Sequence, residues 1–286
     1  MPEINWYPGH MARAKRLLTE QLRRVDAVVE LCDARAPLAT RNPDLDKLCA
    51  GKARVLVLNK ADLANDAMTK RWLDYFKKQG ITAVRFVASG GPTGQIKAAI
   101  DDAVRPGIER MKAKGVNKTA RLMIVGIPNV GKSSFINRLY GSAIAKASDR
   151  PGVTRSNQWV KVGPFLELLD TPGLLWPKLS DQHSARLLAL IGSIRDQIMD
   201  GEELAGTLLQ MLLTIDEQSA RARYKLGADV TAETEPLLLV EAACKGRGWL
   251  LGGGRFDTDR GAAVILDEFR AGKVGKITLE RPAAEV

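Results

Sequence analysis

The run Gly126-Ile127-Pro128-Asn129-Val130-Gly131-Lys132-Ser133 has the residue types and spacing to hold a polyphosphate. Glycines let successive backbone N–H groups converge on phosphate oxygens, and a helix opening at the lysine adds the positive end of its dipole. In such a loop Lys132 reaches the β- and γ-phosphates and the Ser133 hydroxyl ligates Mg²⁺, while Asn129, Val130, Gly131 and Ser134 complete the cradle. Asp170-Thr171-Pro172-Gly173 begins 44 residues after Gly126. Its carboxylate can hold Mg²⁺ through water, and the Gly173 N–H can sense a γ-phosphate. Between the two, Arg150-Pro151-Gly152-Val153-Thr154 reads as a switch segment, with Thr154 as the second hydroxyl for the metal and the γ-phosphate.

A second set of residues selects the base. The Asp62 carboxylate of Asn59-Lys60-Ala61-Asp62 can accept from both N1–H and the exocyclic amine of guanine, a donor pair that adenine lacks. Sites built to hydrogen-bond a group reject analogues without it by roughly 10⁴–10⁵. Beside a phosphate loop this points to GTP. Ala88 and Ser89, closing the next apolar run, are placed to cap the base.

These residues need a scaffold that brings loops together. Short apolar runs at 27–31, 55–58, 84–87, 122–125 and 166–169 read as buried parallel strands. Helical patterns separate many of them, including 66–79 and 96–112, and 134–140 follows the phosphate loop. Alternating strands and helices indicate an α/β domain around a mostly parallel sheet, with ligand loops at the carboxyl ends of the strands. After about Pro177, apolar residues recur at three-to-four spacing over 184–196 and 202–213, so residues 180–286 read as a smaller, all-helical domain following a sheet domain at 1–179. The glycine-rich stretch 246–254 reads as a turn between helices.

The order of the motifs is unusual. In ordinary GTPases the base-reading motif follows the phosphate loop, whereas here Asn59 precedes Gly126. Reading 120–175 before 25–90 restores the usual order, which makes this a circularly permuted P-loop GTPase domain. The loop holding Asp170 and Gly173 then leads directly into the helical domain.

Composition narrows the class of molecule. At 45% apolar and 27% charged residues over 286 positions, the chain is a globular protein with a real core rather than a disordered or fibrous one. No apolar stretch approaches the roughly 18–20 residues of a membrane helix. Cys32, Cys49 and Cys244 show no metal-ligand spacing and read as buried apolar residues in a reducing compartment, so the cytoplasm is expected. The net charge of +10 is uneven: residues 1–179 hold 30 basic and 16 acidic side chains, and residues 180–286 hold 13 and 17. A basic field of that kind attracts nucleic acid through counterion release. The Met11–Arg24 segment adds a basic helix with Leu17, Leu18, Leu22 and Val25 along one stripe.

Five segments in order, Asn5-Trp6-Tyr7-Pro8-Gly9-His10-Met11, Asp33-Ala34-Arg35-Ala36-Pro37, Asn59–Asp62, Gly126–Ser133 and Asp170–Gly173, closely resemble the bacterial ribosome biogenesis GTPase A family. The resemblance extends through the helical region to Phe269-Arg270 and Leu279-Glu280. It implies a GTPase that binds a late precursor of the large ribosomal subunit and its rRNA, promotes maturation, and leaves after hydrolysis, with no obligate protein partner inferred. It also implies RNA binding by the helical domain, where Lys245 with Arg247, and Arg270 with Lys273 and Lys276, form basic clusters. Leu174 occupies the position where many GTPases carry a water-orienting glutamine. The family's N-terminal histidine is the proposed substitute and maps onto His10, which sits in a Trp-Tyr-Pro-Gly-His turn; a packing role for His10 is the alternative. Related GTPases with asparagine at the Asn129 position often bind K⁺ there. Two other classes stay open: a GTP/GDP-gated rRNA-binding module with incidental turnover, and a metabolic P-loop ATPase or kinase, which Asn59–Asp62 disfavours.

Overall fold

All 7 residues of β1 (Ala27–Asp33) are buried, as a strand covered on both faces must be. The computed structural model describes residues 8–42, 44–141, 159–163, 166–169, 182–194 and 200–283. Within them β2 (Ala53–Asn59), β3 (Thr82–Arg85), β4 (Ala120–Val125), β5 (Trp159–Gly163) and β6 (Leu166–Leu169) complete a 6-stranded sheet of order β3-β2-β1-β4-β6-β5. Every pairing is parallel except that of β5 with β6. The expected strand at 84–87 lies two residues earlier, at Thr82–Arg85. The antiparallel edge strand β5 carries no long apolar run and was not expected from sequence.

Helices make the parallel crossovers. They are α2 (Asp44–Leu48), α3 (Asp66–Lys78), α4 (Gly94–Lys112) and α5 (Lys132–Tyr140), while α1 (Pro8–Leu22) precedes β1. Local chemistry sets the limits of α3: the Asn65 side chain accepts from the Met68 N–H, Asp66 sits in the first turn, and Lys77 and Lys78 sit in the last. Its Thr69, Trp72 and Phe76 recur at helical spacing and are buried. Along α1, Leu18 and Leu22 are buried, with Val25 just beyond, but Leu17 is 37% exposed and leaves the expected stripe.

Five helices follow among the described residues: α6 (Gln182–Leu190), α7 (Gly201–Ile215), α8 (Glu217–Tyr224), α9 (Pro236–Arg247) and α10 (Thr258–Arg270). The Asp200 carboxylate caps α7, whose Leu204, Leu208 and Leu212 are buried. The glycine-rich stretch is only partly a turn, because α9 runs on to Arg247 and a short hairpin joins Leu250 to Phe256. Residues 170–181, where a division between the two regions was expected, lie outside the described residues. One apolar cluster nevertheless runs from Val28 in the sheet through Leu188 to Leu208 and Ile265 in the helices.

The segment after α10 returns to the sheet. Ile277 N–H donates to the Leu63 carbonyl at 3.1 Å, and Leu279 N–H donates to the Arg35 carbonyl at 2.7 Å. The Glu280 carboxylate accepts from the N–H groups of Leu38 (2.6 Å) and Ala39 (2.9 Å), while its carbonyl accepts from Trp72 Nε1 at 3.2 Å. The strap therefore crosses the loops that leave β1 and β2.

Candidate functional site

Parallel register brings the carboxyl ends of β1, β2 and β4 side by side, so the loops after Asp33, Asn59 and Val125 emerge along one sheet edge. Sequence order thus places the base-reading motif first, and the sheet returns it to the phosphate loop.

The phosphate loop has the form its residues require. Gly131 adopts φ 93°, a left-handed conformation, and a Cβ there would stand 2.5 Å from Asn59 Nδ2. Helix α5 opens at Lys132 with no side chain capping its first turn, an arrangement suited to an anionic ligand. Ile127 and Val130 are fully buried and anchor the loop, leaving Asn129 exposed. Lys132 Nζ donates to the carbonyls of Gly126 (2.7 Å) and Ile127 (2.8 Å). Burial lowers its pKa to about 8. An ammonium held on neutral carbonyls in this way fits a phosphate as its counter-charge. Ser133 and Ser134 lie in the first turn of α5, beside this lysine.

The Asn59–Asp62 loop is bonded directly to that cradle. Asn59 Nδ2 donates to the Val130 carbonyl at 2.8 Å, and Lys60 Nζ donates to the Asn129 carbonyl at 2.7 Å. Among the described residues Asn59 Oδ1 is buried without a hydrogen-bond partner, leaving an open acceptor at the junction of the two loops. Ala61 is fully buried, and its N–H donates to the Phe86 carbonyl at 3.1 Å. Asp62 is exposed and accepts from Ser89 Oγ at 3.2 Å. Phe135 of α5 packs edge-on against Phe86 at 4.9 Å, and Arg138 of α5 donates to the Gly91 carbonyl at 2.9 Å. The phosphate-loop helix therefore also positions the loop holding Ala88 and Ser89.

Beneath Lys60 lies a buried ion pair. Arg35 reaches Asp33 in bidentate fashion, Nε to Oδ1 at 2.9 Å and Nη2 to Oδ2 at 2.8 Å, and Lys60 Nζ is 3.0 Å from Oδ2. Burial would raise the Asp33 carboxyl, but the charges of Arg35 and Lys60 and the Arg35 hydrogen bonds outweigh it and hold it below its ordinary value. From sequence alone Asp33-Ala34-Arg35 carries a family resemblance and no chemical role. Two residues apart at a strand end, the pair carries its own signal, whereas its link to Lys60 does not.

The remaining expectations divide. Thr154, Asp170 and Gly173 lie outside the described residues, as does the side chain of His10. The backbone of His10 is in the first turn of α1, not in a free turn ahead of it, because Pro8 is accommodated at a helix start. Among the described residues no group of three or more His, Cys, Asp or Glu side chains could hold a metal. Members of the basic clusters make ion pairs within the chain. Arg247 reaches Glu268 and lies 5.0 Å over the Trp249 ring, and Lys276 Nζ is 2.8 Å from Asp66 Oδ2. All three cysteines are free and buried.

Residues 121–232 match a family model described as 50S ribosome-binding GTPase. A Bacillus cereus protein named ribosome biogenesis GTPase A is 46% identical over 281 residues, covering 98% of this chain and 94% of the relative. Among solved structures, the GDP-bound structure of TM YlqF has a TM-score of 0.68 at 29% identity and covers 93% of this chain and 99% of that one. The crystal structure of GNP-bound YlqF from T. maritima has a TM-score of 0.65 at 28% identity, covering 94% and 98%.

Proposed function

The chain belongs to the ribosome biogenesis GTPase A family of GTP hydrolases, and from that premise we propose that it promotes late maturation of the large ribosomal subunit, which in turn stimulates its hydrolysis of GTP. The observation that carries the reading is the pairing of Asn59 with Val130 and Lys60 with Asn129, which ties the Asn59–Asp62 loop to the Gly126–Ser133 loop.

In this reading Asn129, Val130, Gly131, Lys132, Ser133 and Ser134 bind the phosphates. Asn59, Lys60, Ala61, Asp62, Ala88 and Ser89 hold guanine, with Asp62 accepting its two donors. Ser133, Thr154 and, through water, Asp170 hold Mg²⁺, which when bound neutralises charge on the phosphate oxygens. Gly173 senses the γ-phosphate, and Asn129 is the residue placed to take K⁺. His10 orients the attacking water in the subunit-bound protein, since Leu174 cannot do so. The partner is the subunit precursor and its rRNA, in the cytoplasm, and both regions of the chain touch it. Among the described residues no helix is long and apolar enough to cross a membrane.

The test is GTP turnover in K⁺ and Na⁺ buffers of equal ionic strength, with and without purified large subunits. Stimulation of about tenfold or more, equivalent to about 1.4 kcal/mol of barrier, supports the reading. Its loss in His10→Ala with GTP affinity retained assigns the water-orienting role. Leu174 in the glutamine position favours one other reading, a GTP-gated rRNA-binding module. GTP-dependent subunit binding without stimulation would select it.

A further inference from the structure

The Asn129 side-chain amide donates to the Gly192 carbonyl at 2.8 Å, tying the phosphate loop to the turn after α6. That turn is held from its other side by one residue of α10. Arg270 donates from Nε to the Leu190 carbonyl at 3.1 Å and from Nη2 to the Ala189 carbonyl at 2.8 Å. These are terminal carbonyls of α6, where intrahelical donors run out and a cation is favoured by the helix dipole. The guanidinium also lies against Gly192, which has φ 73°, and a Cβ there would stand 3.3 Å from Nε. Arg270 therefore fixes the direction in which the Gly192 carbonyl points.

Asn129 itself needs such support. Its φ of 62° is uncommon for a residue with a side chain. The Gly192 carbonyl holds its amide while Lys60 holds its carbonyl.

We propose that Arg270 is a positioning residue for the phosphate loop, acting through Gly192 and Asn129, so that the helical region sets how well the loop is preorganised for nucleotide. This rests on the reading of Gly126–Ser133 as the phosphate site. Arg270, the last residue of α10, thus serves the nucleotide site from within the molecule. Truncating the Arg270 side chain leaves its backbone carbonyl, which accepts from Arg35 Nη1 at 3.3 Å, in place. The variant consequently isolates the Asn129 arm.

The experiment is calorimetric titration of the full chain with GDP and with a non-hydrolysable GTP analogue. Arg270→Ala is expected to weaken binding by up to about tenfold, the factor represented by one net hydrogen bond. Asn129→Gly, which tolerates the left-handed backbone, weakens it similarly, and adding Arg270→Ala to Asn129→Gly weakens it no further. Arg270→Lys, with one donor group left, recovers part of the affinity and is the variant read if Arg270→Ala does not fold. Arg221→Ala, which removes contacts to the Gly227 and Val230 carbonyls within the helical region, leaves affinity unchanged. Wild-type affinity in both Arg270 variants, or equal losses from Arg270→Ala with and without Asn129→Gly, overturns the inference. Lys132→Ala separates the two levels. If it abolishes binding while the Arg270 variants bind normally, only the inference fails, and if it too binds normally, the phosphate site itself is misassigned.

Discussion

Asn59 donates its side-chain amide to the Val130 carbonyl across 2.8 Å, joining the loop after β2 to the loop after β4. Asn59 is 1% exposed, so the bond is made where water cannot replace it. Asn59→Ala is expected to cost about 1–3 kcal/mol of folding stability, because the Val130 carbonyl loses a buried donor. Nucleotide affinity should fall in the same variant. Urea denaturation and GDP titration measure the two effects, and a loss of affinity without a loss of stability would separate the base-reading loop from the phosphate loop.

Lys132 predicts a pH dependence of binding. Burial places its pKa at about 8, against 10.5 for a free lysine. Between these values the unfolded chain binds more protons, so the nucleotide-free protein should gain stability as pH rises through that window. A bound phosphate raises the lysine pKa again. Nucleotide affinity is therefore expected to be level below pH 8 and to decline above it, with proton uptake on binding. Calorimetry at pH 9 in two buffers of different ionisation enthalpy reads the uptake directly.

The Asp33–Arg35 pair predicts an asymmetry between single and double variants. Arg35→Met leaves a fully buried carboxylate with Lys60 as its remaining cation and is expected to cost about 3–5 kcal/mol. Adding Asp33→Asn should restore part of that loss. Because the folded carboxyl titrates below the ordinary aspartate value, the pair's contribution is present at neutral pH and is lost as pH falls through the folded value. Chemical denaturation of the three proteins at pH 7 and pH 3 checks both statements.

The strap at the end of the chain predicts a local effect. Glu280→Ala removes a carboxylate accepting from two backbone N–H groups, those of Leu38 and Ala39. A loss of about 2 kcal/mol is expected, with faster amide exchange confined at first to residues 35–40 and 277–280. Hydrogen exchange detects it, and unchanged protection at Leu38 and Ala39 would show that the strap is not what holds this loop.

Much of the site was legible because its determinants are local. A phosphate loop needs a strand before it, glycine at a left-handed position and a helix starting at the lysine, and residues 120–140 state all three in order. Apolar runs placed five strands to within about two residues, since a strand covered on both faces can carry few charges. The edge strand Trp159–Gly163 escaped because it is short and includes Lys161, which an edge tolerates.

The sequence by itself determined the nucleotide chemistry, the guanine preference and the permuted order, because each depends on residue types at short spacing. Only the tertiary structure decided that Lys60 joins Asp33 to Asn129, that the 277–280 strap crosses the loops after β1 and β2, and that Arg270 donates to the carbonyls of α6. These contacts use backbone carbonyls and N–H groups, which every residue carries. They leave no mark in the sequence until the chain has brought them within about 3 Å of one another.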